Sequence, residues 1–86
     1  MILAEKTLLL KEMGAKIKKL RKKRQIEVKA FASILKITPQ AVSKIENGRV
    51  DLNMSRIIEI TELLKVTPQE IFQLQWFFVK EKLLRK

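Results

Sequence analysis

The chain contains no cysteine and no histidine. Without thiolates, neither disulfides nor Cys-ligated metals can supplement the core, so stability has to come from packing, and a reducing compartment is permitted. Without His or Cys, with no Gly-rich phosphate loop and no pair of acids in an apolar setting, no catalytic constellation is legible. The expectation is a protein that is not an enzyme and has no cofactor. Any metal site would be all-oxygen, and Glu59 with Glu62 reads more simply as a solvated helix face, so no metal is expected either. Long hydrophobic runs are also missing: Met1 to Ala4 is apolar, but Glu5, Lys6, Lys11 and Glu12 interrupt it before it could form a signal-peptide core or a membrane span. We read a soluble, cytoplasmic protein with no membrane partner. Its 86 residues suffice for one small domain with a thin core.

Positive charge, by contrast, is abundant. The formal net charge is +10, and residues 1–50 hold 13 Lys/Arg against 4 Asp/Glu, whereas 51–86 hold 6 against 5. Seven bases and no acid fall between Lys16 and Arg24. Such a stripe concentrates a polyanion near the surface, though charge alone cannot choose between DNA, RNA and an anionic membrane, and a solvated basic helix face is the plainer alternative.

Apolar residues recur at helical spacing and nowhere alternate over a strand's length, which predicts an all-α fold. Leu10, Met13, Ile17 and Leu20 stand at i, i+3, i+7 and i+10 and continue from Leu3, giving a first helix over about 4–24. Gly14 lies inside it at a cost of ~1 kcal/mol relative to Ala; a break there, freeing an N-terminal arm, is the alternative to a continuous helix. A second helix is expected over 27–35, with Phe31, Ala32 and Leu35 inward, stopped by Lys36-Ile37-Thr38-Pro39. Thr38 can cap a third helix over 39–46 with Pro39 at its first position. Asn47-Gly48 ends it. Asn53 can cap a fourth helix over 54–64 carrying Ile57, Ile60, Leu63 and Leu64, and Thr67-Pro68-Gln69-Glu70 forms a capping box for a fifth.

On a wheel of about 100° per residue, the third helix puts Gln40, Ser43, Lys44 and Asn47 on one face and Val42 and Ile45 on the other. One side packs and one is free to read. Two short helices joined by a three-residue turn, with the small Ala32 permitting close approach, outline a DNA-binding helix-turn-helix. Helical hairpins with polar outer faces are common, so the outline alone is weak. Specificity comes from Ile17-x-x-Leu20-Arg21, Phe31-Ala32, Ile37-Thr38, Val42-Ser43-Lys44-Ile45-Glu46-Asn47-Gly48, Ile57 to Leu64, and Val66-Thr67-Pro68. In these residues the chain resembles the phage Cro/repressor (Xre-like) helix-turn-helix family, without a gap from about Gly14 to Phe72.

The resemblance implies a compact five-helix, lambda-repressor-like domain over 14–72, and the apolar spacing outside it extends the domain by helical segments at 1–13 and 73–86. It implies an ion pair between Arg21 and Glu46 that fixes the reading helix, and a sequence-specific regulator of transcription, a repressor, bound to double-stranded DNA at a palindromic operator. Gln40, Lys44 and Ala41 are the candidates for base contacts, Gln40 suiting adenine and Lys44 guanine or a phosphate. Thr38, Ser43, Asn47, Arg49 and Lys36 are the candidates for phosphate. No small-molecule effector site is legible. Three departures stand out. Glu27 and Val28 occupy positions where the family usually has Ser or Thr and then Gln as a phosphate clamp. Lys36 and Lys65 replace glycines suited to φ > 0, and Leu52 replaces a frequent Pro. Two other readings use the same residues: an antitoxin or partner-binding adaptor on this fold, and non-specific nucleic-acid binding through the basic first helix. Past the resemblance, Phe72, Trp76, Val79 and Leu83 fall at i, i+4, i+7 and i+11, a stripe suited to joining a homodimer. Its alternative is to fold back on Ile2, Leu3, Leu9 and Leu10 of the same chain.

Overall fold

The computed structural model describes residues 3–71, with side chains from residue 6. Four complete helices follow in order, α1 (Leu3–Lys23), α2 (Val28–Leu35), α3 (Pro39–Glu46) and α4 (Met54–Leu64). The backbone is helical again from 68, the start of a fifth helix, and the described residues include no strand. Relative to the expected spans, α1 begins and ends one residue earlier, and α2 begins one later, with Glu27 as its cap in extended conformation. Met13 and Ile17 of α1, Phe31, Ala32 and Leu35 of α2, Val42 and Ile45 of α3, Ile57, Ile60 and Leu64 of α4, and Ile71 form one core. Thr61 is buried among them, an exception to the apolar pattern, and its hydroxyl donates to the Ile58 carbonyl at 2.9 Å, so its polar hydrogen is paired.

The starts of the helices follow cap chemistry. Thr38 Oγ1 accepts from the Ala41 amide at 3.0 Å and Asn53 Oδ1 from the Arg56 amide at 2.8 Å. At the fifth helix, the Thr67 amide donates to Glu70 Oε2 at 2.7 Å, one half of a capping box. Of α2, α3 and α4, only α2 begins without a side-chain cap.

The ends share one device. After α1, α2, α3 and α4 the chain passes through a left-handed residue, respectively Gln25, Lys36, Gly48 and Lys65, with φ of 58°, 59°, 69° and 58°. In each case the next amide reaches back five residues: Ile26 to Arg21, Ile37 to Ala32, Arg49 to Lys44 and Val66 to Thr61. This is the Schellman closure, in which a hydrophobic residue after the turn packs back on the helix. Ile26, Ile37 and Val66 all do so against the core. Only one of the four left-handed residues is glycine, and the other three each cost about 1 kcal/mol in backbone strain. Lys65→Gly is therefore expected to stabilise the domain by up to about 1 kcal/mol, raising the thermal midpoint by roughly 4–8 °C. An unchanged or lower midpoint in a melting curve would show that this strain is relieved by other contacts.

Two arginines close helix ends that the caps leave open. Arg24 Nε donates to the Leu64 carbonyl at 2.9 Å, joining the end of α1 to the end of α4, and Arg56 Nη1 donates to the Leu35 carbonyl at 3.1 Å, joining α4 to α2. α1 runs unbroken through Gly14. A Cβ there would strike the Ile45 carbonyl oxygen and lie 2.6 Å from that of Glu46, so the glycine is what lets the end of α3 seat against α1.

Candidate functional site

α3 lies against both α1 and α2, and its wheel divides as its sequence does. Val42, Ile45 and Glu46 are buried, while Gln40, Ser43, Lys44 and Asn47 are exposed. The side chains of Gln40 and Lys44 make no hydrogen bond within the described residues, which leaves both ends of the Gln40 amide and the Lys44 ammonium available to an outside partner. Ala41 is half-buried on the flank of this face, in an open cleft shared with Lys44, Asn53 and Arg56. Its methyl can offer only an apolar contact.

What holds the face in place is an ion pair. Arg21 Nε donates to Glu46 Oε2 at 2.6 Å and Nη2 to Oε1 at 3.2 Å, a two-point clamp with both residues buried, at 6% and 7% exposure. Arg21 Nη1 also donates to the Ile26 carbonyl at 2.8 Å. One guanidinium thus joins α1, α3 and the turn before α2, and planar fork geometry is what makes such a clamp orient as well as attract. At that depth Arg21 is occupied and does not face solvent.

The residues expected at phosphates lie around the two ends of α3. At its start, Thr38 is exposed, and its hydroxyl, which accepts from Ala41, retains a hydrogen to donate; Lys36 is exposed on the turn before it. At its end, Asn47 Nδ2 donates to the Ser43 carbonyl at 2.9 Å and lies 3.3 Å from Ser43 Oγ, so these two side chains hold one another. Arg49 is exposed just beyond.

The basic stripe is narrower than its sequence. Of the seven bases from Lys16 to Arg24, Arg21 is buried against Glu46, and Arg24, though exposed and still charged, is held by the carbonyls at the end of α4. Composition cannot separate a structural arginine from a surface one. The signal for Arg21 was its place in the family-like pattern, whereas Arg24 carried none. Gly14 did carry one: a glycine on the inner side of an otherwise good helix is tolerated where another backbone approaches. The start of α2 lacks the Ser or Thr side chain that could grip a phosphate, and Glu27 presents a carboxylate there instead. The stripe of Phe72, Trp76, Val79 and Leu83 lies outside the described residues. No helix among the described residues is long and apolar enough to cross a membrane.

A model of the helix-turn-helix domain family matches residues 14–75. Among solved structures, the chain is similar to the restriction-modification controller protein C.AhdI from Aeromonas hydrophila, with a TM-score of 0.68 at 21% identity over 73% of this chain and 96% of that one. It is also similar to the clp gene regulator ClgR from Corynebacterium glutamicum. One structure gives a TM-score of 0.72 at 16% identity over 78% of this chain and 87% of that one. Another gives 0.75 at 14% identity over 90% and 82%. No curated protein matches the chain in sequence.

Proposed function

Since this chain belongs to the Xre-like helix-turn-helix family, we propose that it is a sequence-specific, double-stranded DNA-binding regulator of transcription, a repressor, acting in the cytoplasm as a homodimer on a palindromic operator. The observation that carries this reading is the exposed, unpartnered pair Gln40 and Lys44 on a helix whose opposite face is buried and clamped to α1 through Glu46. A reading helix needs a rigid backbone, because base edges in the major groove are discriminated by hydrogen-bond geometry. In this reading Gln40 makes a two-point contact to adenine and Lys44 a contact to guanine, with Ala41 against an apolar base edge. Thr38 and Lys36 at one end of α3, and Ser43, Asn47 and Arg49 at the other, take phosphates, which position the helix without specifying sequence. The similarity to proteins described as a controller and a gene regulator agrees with this role. No chemistry on the bound DNA is part of it.

Gln40→Ala and Lys44→Ala are expected to weaken binding to the preferred site by roughly 1–3 kcal/mol each and to leave binding to unrelated duplexes nearly unchanged. Titration of each variant against both duplexes in one buffer checks this. If Gln40→Ala kept full affinity and full sequence preference, α3 would not be the reading helix.

A further inference from the structure

Residues 3–13 precede the family match at 14–75, yet they are part of α1 and reach the end of the reading helix. Thr7, Lys11, Asn47 and Arg49 line one open cleft. Its floor is a close backbone contact: a Cβ on Gly48 would lie 2.6 Å from Lys11 Cα, so Gly48, buried and left-handed, is what brings Lys11 beside Arg49. Lys6 Nζ meets Asp51 Oδ2 at 2.9 Å on the same stretch of α1, tying it to the loop after α3 and countering the nearby carboxylate. Glu46 also borders the cleft, but Arg21 already balances its charge. Net positive charge from Lys11 and Arg49 therefore remains.

Main-chain amides cannot serve an anion here, because those of Gly48 and Arg49 donate to the Ile45 and Lys44 carbonyls at 3.1 and 2.8 Å. The donors left are side chains: the Lys11 ammonium, the Arg49 guanidinium and the Thr7 hydroxyl, all exposed. At about 100° per residue, Thr7, Lys11, Lys18 and Lys22 fall within roughly 60° of one another, beside Gly14 and Arg21, which face α3. They make a ridge of donors along α1, whose Thr7 and Lys11 share the cleft with Asn47.

We propose that this cleft is a DNA phosphate site, in which Thr7 and Lys11 of the N-terminal extension and Arg49 hold one backbone phosphate flanking the bases read by α3. The inference rests on the DNA-binding reading above. It gives the extension a role in affinity and in fixing register, without a share in sequence preference.

The test is titration of the full chain and of Lys11→Ala, Thr7→Val and Lys16→Ala against a mixed-sequence duplex over a range of salt. Lys16 lies on the opposite side of α1 and removes the same unit of charge from outside the cleft. Lys11→Ala should weaken binding about threefold to tenfold and reduce the log–log salt slope by about 0.9, while Lys16→Ala does neither. Thr7→Val should weaken binding with no change of slope. In the preferred duplex selected from a random pool, where the register is fixed, replacing phosphates one at a time by methylphosphonate should identify a position at which Lys11→Ala no longer matters. If the wild type binds and Lys11→Ala behaves like Lys16→Ala, or if no neutralised phosphate removes the Lys11 effect, the site is wrong and the DNA-binding reading stands. A wild type that binds no duplex overturns both.

Discussion

Glu46→Ala is expected to lower the unfolding free energy by about 3–5 kcal/mol, because it leaves the Arg21 guanidinium buried at 6% exposure with two of its donors unpaired. Arg21→Ala should cost a similar amount by stranding the carboxylate and also releasing the Ile26 carbonyl. For a domain of this size each kcal/mol moves the thermal midpoint by roughly 4–8 °C, so the shift should exceed about 12 °C. Attraction across such a pair is offset by the cost of removing both charges from water, and the loss on breaking it comes chiefly from the charge left behind. Replacing both partners by apolar side chains of similar volume, Arg21→Met with Glu46→Leu, should therefore recover much of the lost stability. The double variant should still fall short in DNA binding, since an apolar pair does not fix the angle of α3 as a two-point clamp does. Equal midpoints for wild type and Glu46→Ala would mean the pair is solvated and carries no structural role.

The second large effect concerns assembly. We propose that the segment after Ile71 joins two copies of the chain, on the strength of Phe72, Trp76, Val79 and Leu83 at coiled-coil-like spacing, with Phe77 and Phe78 adding apolar surface. A patch of that size left in water would invite aggregation. A two-fold dimer would also set two reading helices about 34 Å apart on successive major grooves, doubling the number of bases read. Trp76→Ala with Val79→Asp is expected to convert dimer to monomer at micromolar concentration, and to weaken operator binding by about 2 kcal/mol or more, roughly thirtyfold, with helicity largely kept. Sedimentation of both proteins, alone and with operator, checks it. A wild type that remains monomeric and loads onto DNA one subunit at a time would contradict the dimer and favour the stripe folding back on its own chain.

The helices were legible because their signals are local. Thr38 and Asn53 occupy cap positions, Thr67 and Glu70 stand at box spacing, and the apolar period of 3.6 marks Met13, Ile17, Ile57, Ile60 and Leu64 as core. The left-handed turns at Lys36 and Lys65 were visible only by contrast with the glycines usual there. Gln25 was missed, although Gln25-Ile26 repeats the polar-then-branched pattern of Lys36-Ile37 and Lys65-Val66. Contacts between elements distant in sequence were the least legible. Nothing near Arg24 or Arg56 in the chain indicates that they close the ends of α4 and α2. Likewise Gly48 reads as an ordinary helix stop, and its approach to Lys11 depends on how α1 crosses α3. The face of α3 was readable in outline, since the amphipathic wheel needs only eight residues of sequence. Which base each side chain meets depends on the DNA as much as on the protein.

The most direct test of sequence-specific recognition by α3 is selection from a random duplex pool with the full chain, repeated with Gln40→Ala. The account predicts one enriched palindrome for the wild type, bound with an affinity that falls steeply as salt rises, at a log–log slope of about −0.9 for each phosphate neutralised. For Gln40→Ala it predicts relaxed preference at a single position in each half-site, the others being retained. Recovery of no common sequence by the wild type, with equal affinity for unrelated duplexes, would contradict the account and leave the lysines of α1 as a non-specific polyanion surface.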